Sequence, residues 1–319
     1  MSTPGWGPPP GPHDQGWAPP RPGSPPPHGP PAGGFSSGPT TCFRHPERST
    51  GLRCARCGRP ACPECLREAA VGFQCVVCVS EGQKEVRSAA TVAGARVQQS
   101  TPVVTYALLG VSVALYLLTA VLARSVMTNS DSDFFGLFSL WPVGVAEGGY
   151  GRLVVSAFLH YGLLHLALNM YALYVLGREL EMVLGRWRYG ALYAVSLLGG
   201  STSVMLFENP VSATVGASGA VFGLMGGLAV VLLKLRRSLV PVFTVIGINV
   251  VISVTVPGIS LFGHLGGLVA GAVAGGVLLY APAGAGRTRI QVAGLVALAV
   301  VLLVAVVLRV VQLRTEYGL

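Results

Sequence analysis

The chain has 319 residues, 51% of them hydrophobic and only 11% charged. That is too little charge to cover a water-soluble globule of this size, and the apolar residues gather in long runs after residue 101, so an all-α polytopic membrane protein is expected. The net charge of +9 lies mostly beside those runs instead of in one block, which reads as topology signals and excludes a dedicated nucleic-acid surface.

Residues 1–40 are dominated by Pro and Gly, with almost nothing to bury, and are expected to form a disordered tail. They contain no apolar signal-peptide core, so the tail is expected to remain in the cytoplasm. Residues 41–80 hold all seven cysteines in the stretches "CFRH", "CARC", "CPEC" and "CVVC". With His45 added to Cys42, Cys54, Cys57, Cys62, Cys65, Cys75 and Cys78, eight ligands make two tetrahedral sites, and two structural Zn2+ ions are expected in place of disulfides. Pairing by sequence neighbours and crossed pairing are both open. Every ligand position is filled, so the zinc is structural, with no cofactor needed for catalysis elsewhere. About 40 residues cannot build an apolar core of their own, and the metal is expected to replace it. A polar linker, 81–101, leads to the membrane.

Seven spans are predicted, near 103–123, 153–176, 188–207, 216–233, 239–256, 260–280 and 290–310. The first six form a core domain, 102–281, and the last belongs to a C-terminal segment, 282–319. Arg178, Arg186, Arg188, Lys234, Arg236, Arg237, Arg287 and Arg289 fall in alternate loops. The positive-inside rule then places the N-terminus inside and the C-terminus outside a cytoplasmic membrane, with Arg314 the exception. Every Asp, Glu, Lys and Arg between 102 and 310 is expected in a loop or at a span end.

Three histidines, His160, His165 and His264, remain within the apolar runs, where ionisable groups are costly and mark function by default. Counting about 1.5 Å per residue from the opposite end, Ser218 and His264 sit at one height, about 24 to 26 Å into a ~30 Å layer. His165 and Asn169 lie one turn apart on one face of span two. Gly219, Gly223 and Gly227 in span four, and Gly263, Gly267, Gly271 and Gly275 in span six, recur every four residues and let two backbones approach closely. An imidazole within reach of a hydroxyl makes a nucleophile of it, so a Ser–His dyad with no carboxylate partner is expected.

At this point the stretches "GASG" (216–219), "FLHYGLLHLALNMYALYVLG" (158–177) and "GHLGGLVAG" (263–271) resemble, in order, the motifs of the rhomboid intramembrane serine proteases. The resemblance implies a six-helix bundle, here with one extra C-terminal helix. It makes Ser218 the nucleophile and His264 the general base of a serine-type endopeptidase. His165 and Asn169 would help form the oxyanion hole, with His160, Gly216 and Phe222 lining the site. It further implies peptide-bond hydrolysis in or near transmembrane segments of membrane-protein substrates. The alternative is an inactive rhomboid-like protein that binds membrane clients, with the finger recruiting a cytoplasmic protein partner. Two positions depart from the family pattern: Phe222 replaces a frequent Tyr, and Gly151-Arg152 replaces a Trp-Arg pair, with Trp141 as a substitute. The cysteine unit resembles a B-box-type zinc finger, which implies that the first and third pairs share one ion and the second and fourth the other.

Overall fold

The computed structural model describes residues 40–85, 91–95, 101–256 and 258–319. The expected tail and most of the linker lie outside the described residues. The chain divides into two units, 1–87 and 88–319.

In the first unit, strands β1 (Thr40–Thr41) and β2 (Ser49–Thr50) pair antiparallel, as do β3 (Leu66–Glu68) and β4 (Phe73–Cys75), and helix α1 (Val76–Glu85) follows. Its buried cluster consists of six cysteines with Ala61 and Leu66. So few apolar carbons cannot hold about 45 residues by hydrophobic burial alone.

The second unit opens with α2 (Val103–Leu122) and continues through the short helices α3 (Asp133–Phe138), α4 (Pro142–Ala146) and α5 (Arg152–Val155). Then come α6 (Gly162–Leu184), α7 (Arg186–Phe207), α8 (Ser218–Lys234), α9 (Val240–Thr255), α10 (Leu261–Tyr280) and α11 (Arg287–Tyr317). The molecule is a multi-pass membrane protein. Four of these helices, α2, α7, α10 and α11, are long and apolar enough to cross a bilayer, and α8 and α9 are shorter apolar helices.

Span two differs from its expected form. Residues 152–158 and α6 meet at a 92° bend, so the predicted 153–176 span is two segments. At the bend Gly162 takes φ +66°, and fully buried Asn129 bridges it: its Oδ1 accepts the Gly162 N–H at 2.9 Å while its Nδ2 donates to His160 O at 2.9 Å and Thr119 Oγ1 at 3.0 Å. Both segments are apolar, so hydropathy alone cannot register the turn between them.

At its other end α6 runs past the predicted limit to Leu184 and carries Glu181 inside the bundle, 4% exposed. This agrees with the expectation that acidic groups lie in loops or at span ends, but the span end here is buried. The Glu181 carboxylate accepts the N–H groups of Val104 and Thr105, at 3.0 and 2.8 Å, and the Thr105 hydroxyl at 2.8 Å. It caps the N-terminus of α2, whose first N–H groups have no partner within the helix.

Helices α7, α8 and α10 form the centre. A Cβ added at Gly267 would overlap Gly219 O, and one at Gly271 would overlap Gly223 O. The two glycine stripes therefore bring α8 and α10 into backbone contact, the packing available to helices in lipid.

The last helix is longer than the predicted 290–310 span. Buried Gln291 accepts the Arg188 Nε–H at 2.9 Å and donates to Leu278 O and Ala93 O. Near the other end Arg309 donates to Met205 O and Arg314 to Ala146 O. Arg314, the exception to the charge pattern, is thus engaged by the backbone of α4.

Candidate active site

Ser218 is the first residue of α8 and His264 lies in the first turn of α10. Gly216 sets up the approach with φ +126°, a conformation that side chains rarely adopt, and a Cβ there would lie 2.8 Å from the His165 ring. Gly216 N–H donates to Ser156 O at 3.0 Å, and Thr214 exchanges two backbone hydrogen bonds with Leu140. The segment entering α8 is therefore tied to the loop that follows α3.

The helices then bring Ser218 Oγ to 2.8 Å from His264 Nε2. The Phe222 ring, one turn along α8, stacks on the imidazole at 4.1 Å and 11°. The pair borders a cavity of about 710 Å³ that is also lined by His165, Gly216, Gly200 and Ser260. Ser218 lies at a helix N-terminus, where backbone N–H groups are free of intrahelical partners and the dipole favours negative charge.

The other sequence-predicted residues divide. His165 lines the cavity. Its Nδ1 accepts the Tyr161 N–H at 3.2 Å, so the ring proton resides on Nε2, the atom turned toward Gly216. Asn169 lies beneath it, its amide donating to His165 O at 3.0 Å, and is not a cavity-lining residue.

His160 is fully buried behind the cavity wall and not at its mouth. Its Nδ1 is 3.2 Å from Phe158 O and its Nε2 takes the Ala217 N–H at 3.4 Å. It holds the backbone just before Ser218, because a buried imidazole needs partners at both nitrogens.

Sequence reasoning missed Ser253 of α9, whose Oγ is 2.7 Å from His264 Nδ1. It also missed Asn129. A lone serine in an apolar helix and an asparagine in a loop carry no pattern by which to find them.

A family model for the Rhomboid domain matches residues 147–281. The rhomboid protein YdcA of Bacillus subtilis is 31% identical over 176 residues, 53% of this chain and 85% of that protein. The chain belongs to the rhomboid family. It is also 31% identical over 209 residues to Rhomboid protease GluP of Bacillus subtilis, covering 64% of this chain and 40% of that protein. The mitochondrial RHOMBOID-like protein 6 of Arabidopsis thaliana is 39% identical over 150 residues, 44% of this chain and 48% of that protein. The chain spans less than half the length of these last two relatives.

Within that rhomboid frame both sequence departures have a spatial answer. Phe222 keeps the stack on His264 without a hydroxyl. Trp141 and Arg152, apart in sequence, meet in space with the guanidinium 5.2 Å from the indole centroid, while Arg152 donates to Gly136 O at 2.9 Å and Ser139 O at 2.7 Å.

In the first unit the ligand atoms group as Cys42, His45, Cys62 and Cys65, and as Cys54, Cys57, Cys75 and Cys78, all within 4.8 Å in each group. The grouping is crossed: first pair with third, second with fourth. A tetrahedral ion with metal–sulfur bonds of about 2.3 Å needs sulfur–sulfur edges of about 3.8 Å and sulfur–nitrogen edges slightly shorter. Cys57 Sγ and Cys75 Sγ are 3.8 Å apart, and His45 Nδ1 is 3.9, 3.3 and 3.5 Å from Cys42, Cys62 and Cys65 Sγ. Either group has the ligands and spacing to hold a structural metal.

Burial opposes ionisation of Cys42, yet the backbone N–H groups of Cys62, Arg44 and His45 bring its thiol down to about 6. Against the same opposition, the N–H groups of Cys75, Cys57 and Arg56 bring Cys54 down to about 6. N–H groups directed at sulfur favour the thiolate, the form that binds metal, at Cys42 and Cys54, whereas burial pushes the Cys65 thiol up to about 11 and the Cys78 thiol up to about 12.

Proposed function

We propose that this rhomboid protein is an intramembrane serine protease with Ser218 as nucleophile and His264 as general base. The observation that carries the reading is the 2.8 Å approach of Ser218 Oγ to His264 Nε2 beside an open cavity. In the reaction, His264 Nε2 takes the Ser218 proton as Oγ attacks the scissile carbonyl. The His165 Nε2–H and the N–H at the start of α8 receive the oxyanion, and His264 returns the proton to the leaving amine. Water, deprotonated by the same nitrogen, then hydrolyses the acyl-enzyme. His160 holds the strained approach to Ser218 and Asn169 supports His165.

The substrates would be transmembrane proteins. A helix protects its peptide bonds by its own hydrogen bonding, so a good substrate segment carries Gly, Ala or Pro near the scissile bond and unwinds there. The orientation that fits the basic loops is N-terminus in the cytoplasm and active site toward the outer side of the cytoplasmic membrane. The two Cys/His groups would hold Zn2+ in a B-box-like finger at residues 41–80, a unit suited to engaging a cytoplasmic protein, and the C-terminal segment 282–319 would add one helix to the core 102–281.

The test is proteolysis in liposomes. Purified protein is reconstituted with a transmembrane reporter bearing a Gly-Ala-rich outer end, and cleavage products are sequenced. Cleavage by wild type that Ser218→Ala and His264→Ala each abolish is the expected result. Equal cleavage by all three, or none across a panel of such reporters, would contradict the reading and favour client binding without hydrolysis.

A further inference from the structure

Ser253 offers a way to set the proton on His264, and this inference rests on the hydrolytic reading above. Its side chain, 6% exposed on α9, lies 2.7 Å from His264 Nδ1 and 2.7 Å from Asn249 O. A carbonyl oxygen only accepts, so the single hydroxyl proton of Ser253 goes to Asn249 O, the usual back-bond of a helical serine. The Ser253 oxygen then faces Nδ1 with a lone pair, and a 2.7 Å contact requires the ring proton there. A neutral imidazole has one such proton. With it on Nδ1, Nε2 presents its lone pair to Ser218, and the Ser218 hydroxyl donates.

The opposite tautomer would break this arrangement at both ends. Ser253 would have to turn away from Asn249 O to donate to Nδ1, and an Nε2–H would point at Ser218, leaving it without a base. Phe222 stacked on the ring fixes its plane but has no polar atom with which to choose a nitrogen.

We propose that Ser253 is a positioning residue that keeps the His264 proton on Nδ1, through the chain Ser218 O–H to Nε2, Nδ1–H to Ser253 Oγ, and Ser253 O–H to Asn249 O. A neutral hydroxyl of α9 thereby does the orienting work that a carboxylate does in a triad. During reaction the Nδ1–H bond to Ser253 persists while Nε2 gains and loses the Ser218 proton, so Ser253 exchanges no proton itself. Helix α8 supplies Ser218, α10 supplies His264, and α9 supplies Ser253 and the Asn249 carbonyl.

The test combines two readouts on the full-length protein in detergent. The first is the 15N signature of the His264 imidazole, assigned by its loss in His264→Ala, at a pH where the ring is neutral. The second is the rate at which Ser218 is labelled by a fluorophosphonate, measured over a range of probe concentrations. Wild type is expected to carry the proton on Nδ1. Ser253→Ala is expected to give a mixture of tautomers and to slow labelling about tenfold to hundredfold at saturation, the scale of one lost orienting hydrogen bond, with the half-saturating concentration unchanged. Ser253→Thr retains the hydroxyl and its back-bond, and is expected to restore both.

A proton on Nε2 in wild type, or a Ser253→Ala protein with wild-type tautomer and rate, would overturn the proposal while leaving the protease reading intact. A proton on Nδ1 in a wild type that takes no label would support the placement by Ser253 and sink the protease reading alone.

Discussion

In residues 40–85 the cysteines grouped at metal-ligand spacing are most of the core, and the few other buried residues pack around them. In residues 101–319 the polar site is held by residues without side chains: the glycines of α8 and α10, whose backbones touch and so carry Ser218 to His264. The first unit draws its core from side chains spaced to hold a metal, and the second gains its site from its shape. Removing a ligand should therefore unmake the first unit, whereas in the second the chemistry can be deleted without loss of fold and the fold damaged through residues that do no chemistry.

Metal removal should give the largest effect. Structural zinc contributes on the order of 10 kcal/mol in small fingers, so chelation should abolish the protection of residues 40–85 in hydrogen exchange. Fluorophosphonate labelling of Ser218 should continue, because the proposed dyad draws on no residue of 40–85. Loss of labelling on chelation would break the contrast.

Next comes Gly271→Val. Its new Cβ meets the backbone of Gly223, which cannot swing aside, so the helices must separate at a cost of roughly 2 to 4 kcal/mol. A lower thermal midpoint in detergent and lost labelling are expected. Gly276→Val, on the same helix with nothing within 4 Å of its added carbon, should fall within about 0.5 kcal/mol of wild type. Equal destabilisation by the two would show that backbone contact is not what holds α8 to α10.

The smallest effect is expected from Arg314→Ala. It removes one hydrogen bond to Ala146 O from an exposed side chain, worth about 1 kcal/mol or less. The thermal midpoint should drop slightly and labelling should be retained.

Much of this was legible in the sequence because it is periodic or motif-bound. The glycine stripes repeat every turn, and the cysteine pairs have ligand spacing. Ser218 and His264 could be placed at one height by counting residues along helices. What escaped depends on tertiary placement. The bend before α6 separates two apolar segments and is bridged by Asn129, 31 residues from the His160 carbonyl it binds. Glu181 looked like a loop residue until α6 continued past it and α2 supplied N–H groups to its carboxylate. Ser253 is indistinguishable in sequence from any serine bonded back to its own helix, and its second contact comes from another helix. Trp141 and Arg152 form their pair through the fold of the loop between them and not through adjacency.

The most direct test of the central claim is to treat the purified protein with a fluorophosphonate and map the adduct by peptide mass spectrometry. The account predicts one adduct, on Ser218, absent in Ser218→Ala and nearly absent in His264→Ala, with both variants retaining the wild-type thermal midpoint. Modification on another residue, or undiminished labelling of Ser218 when His264 is replaced, would contradict it.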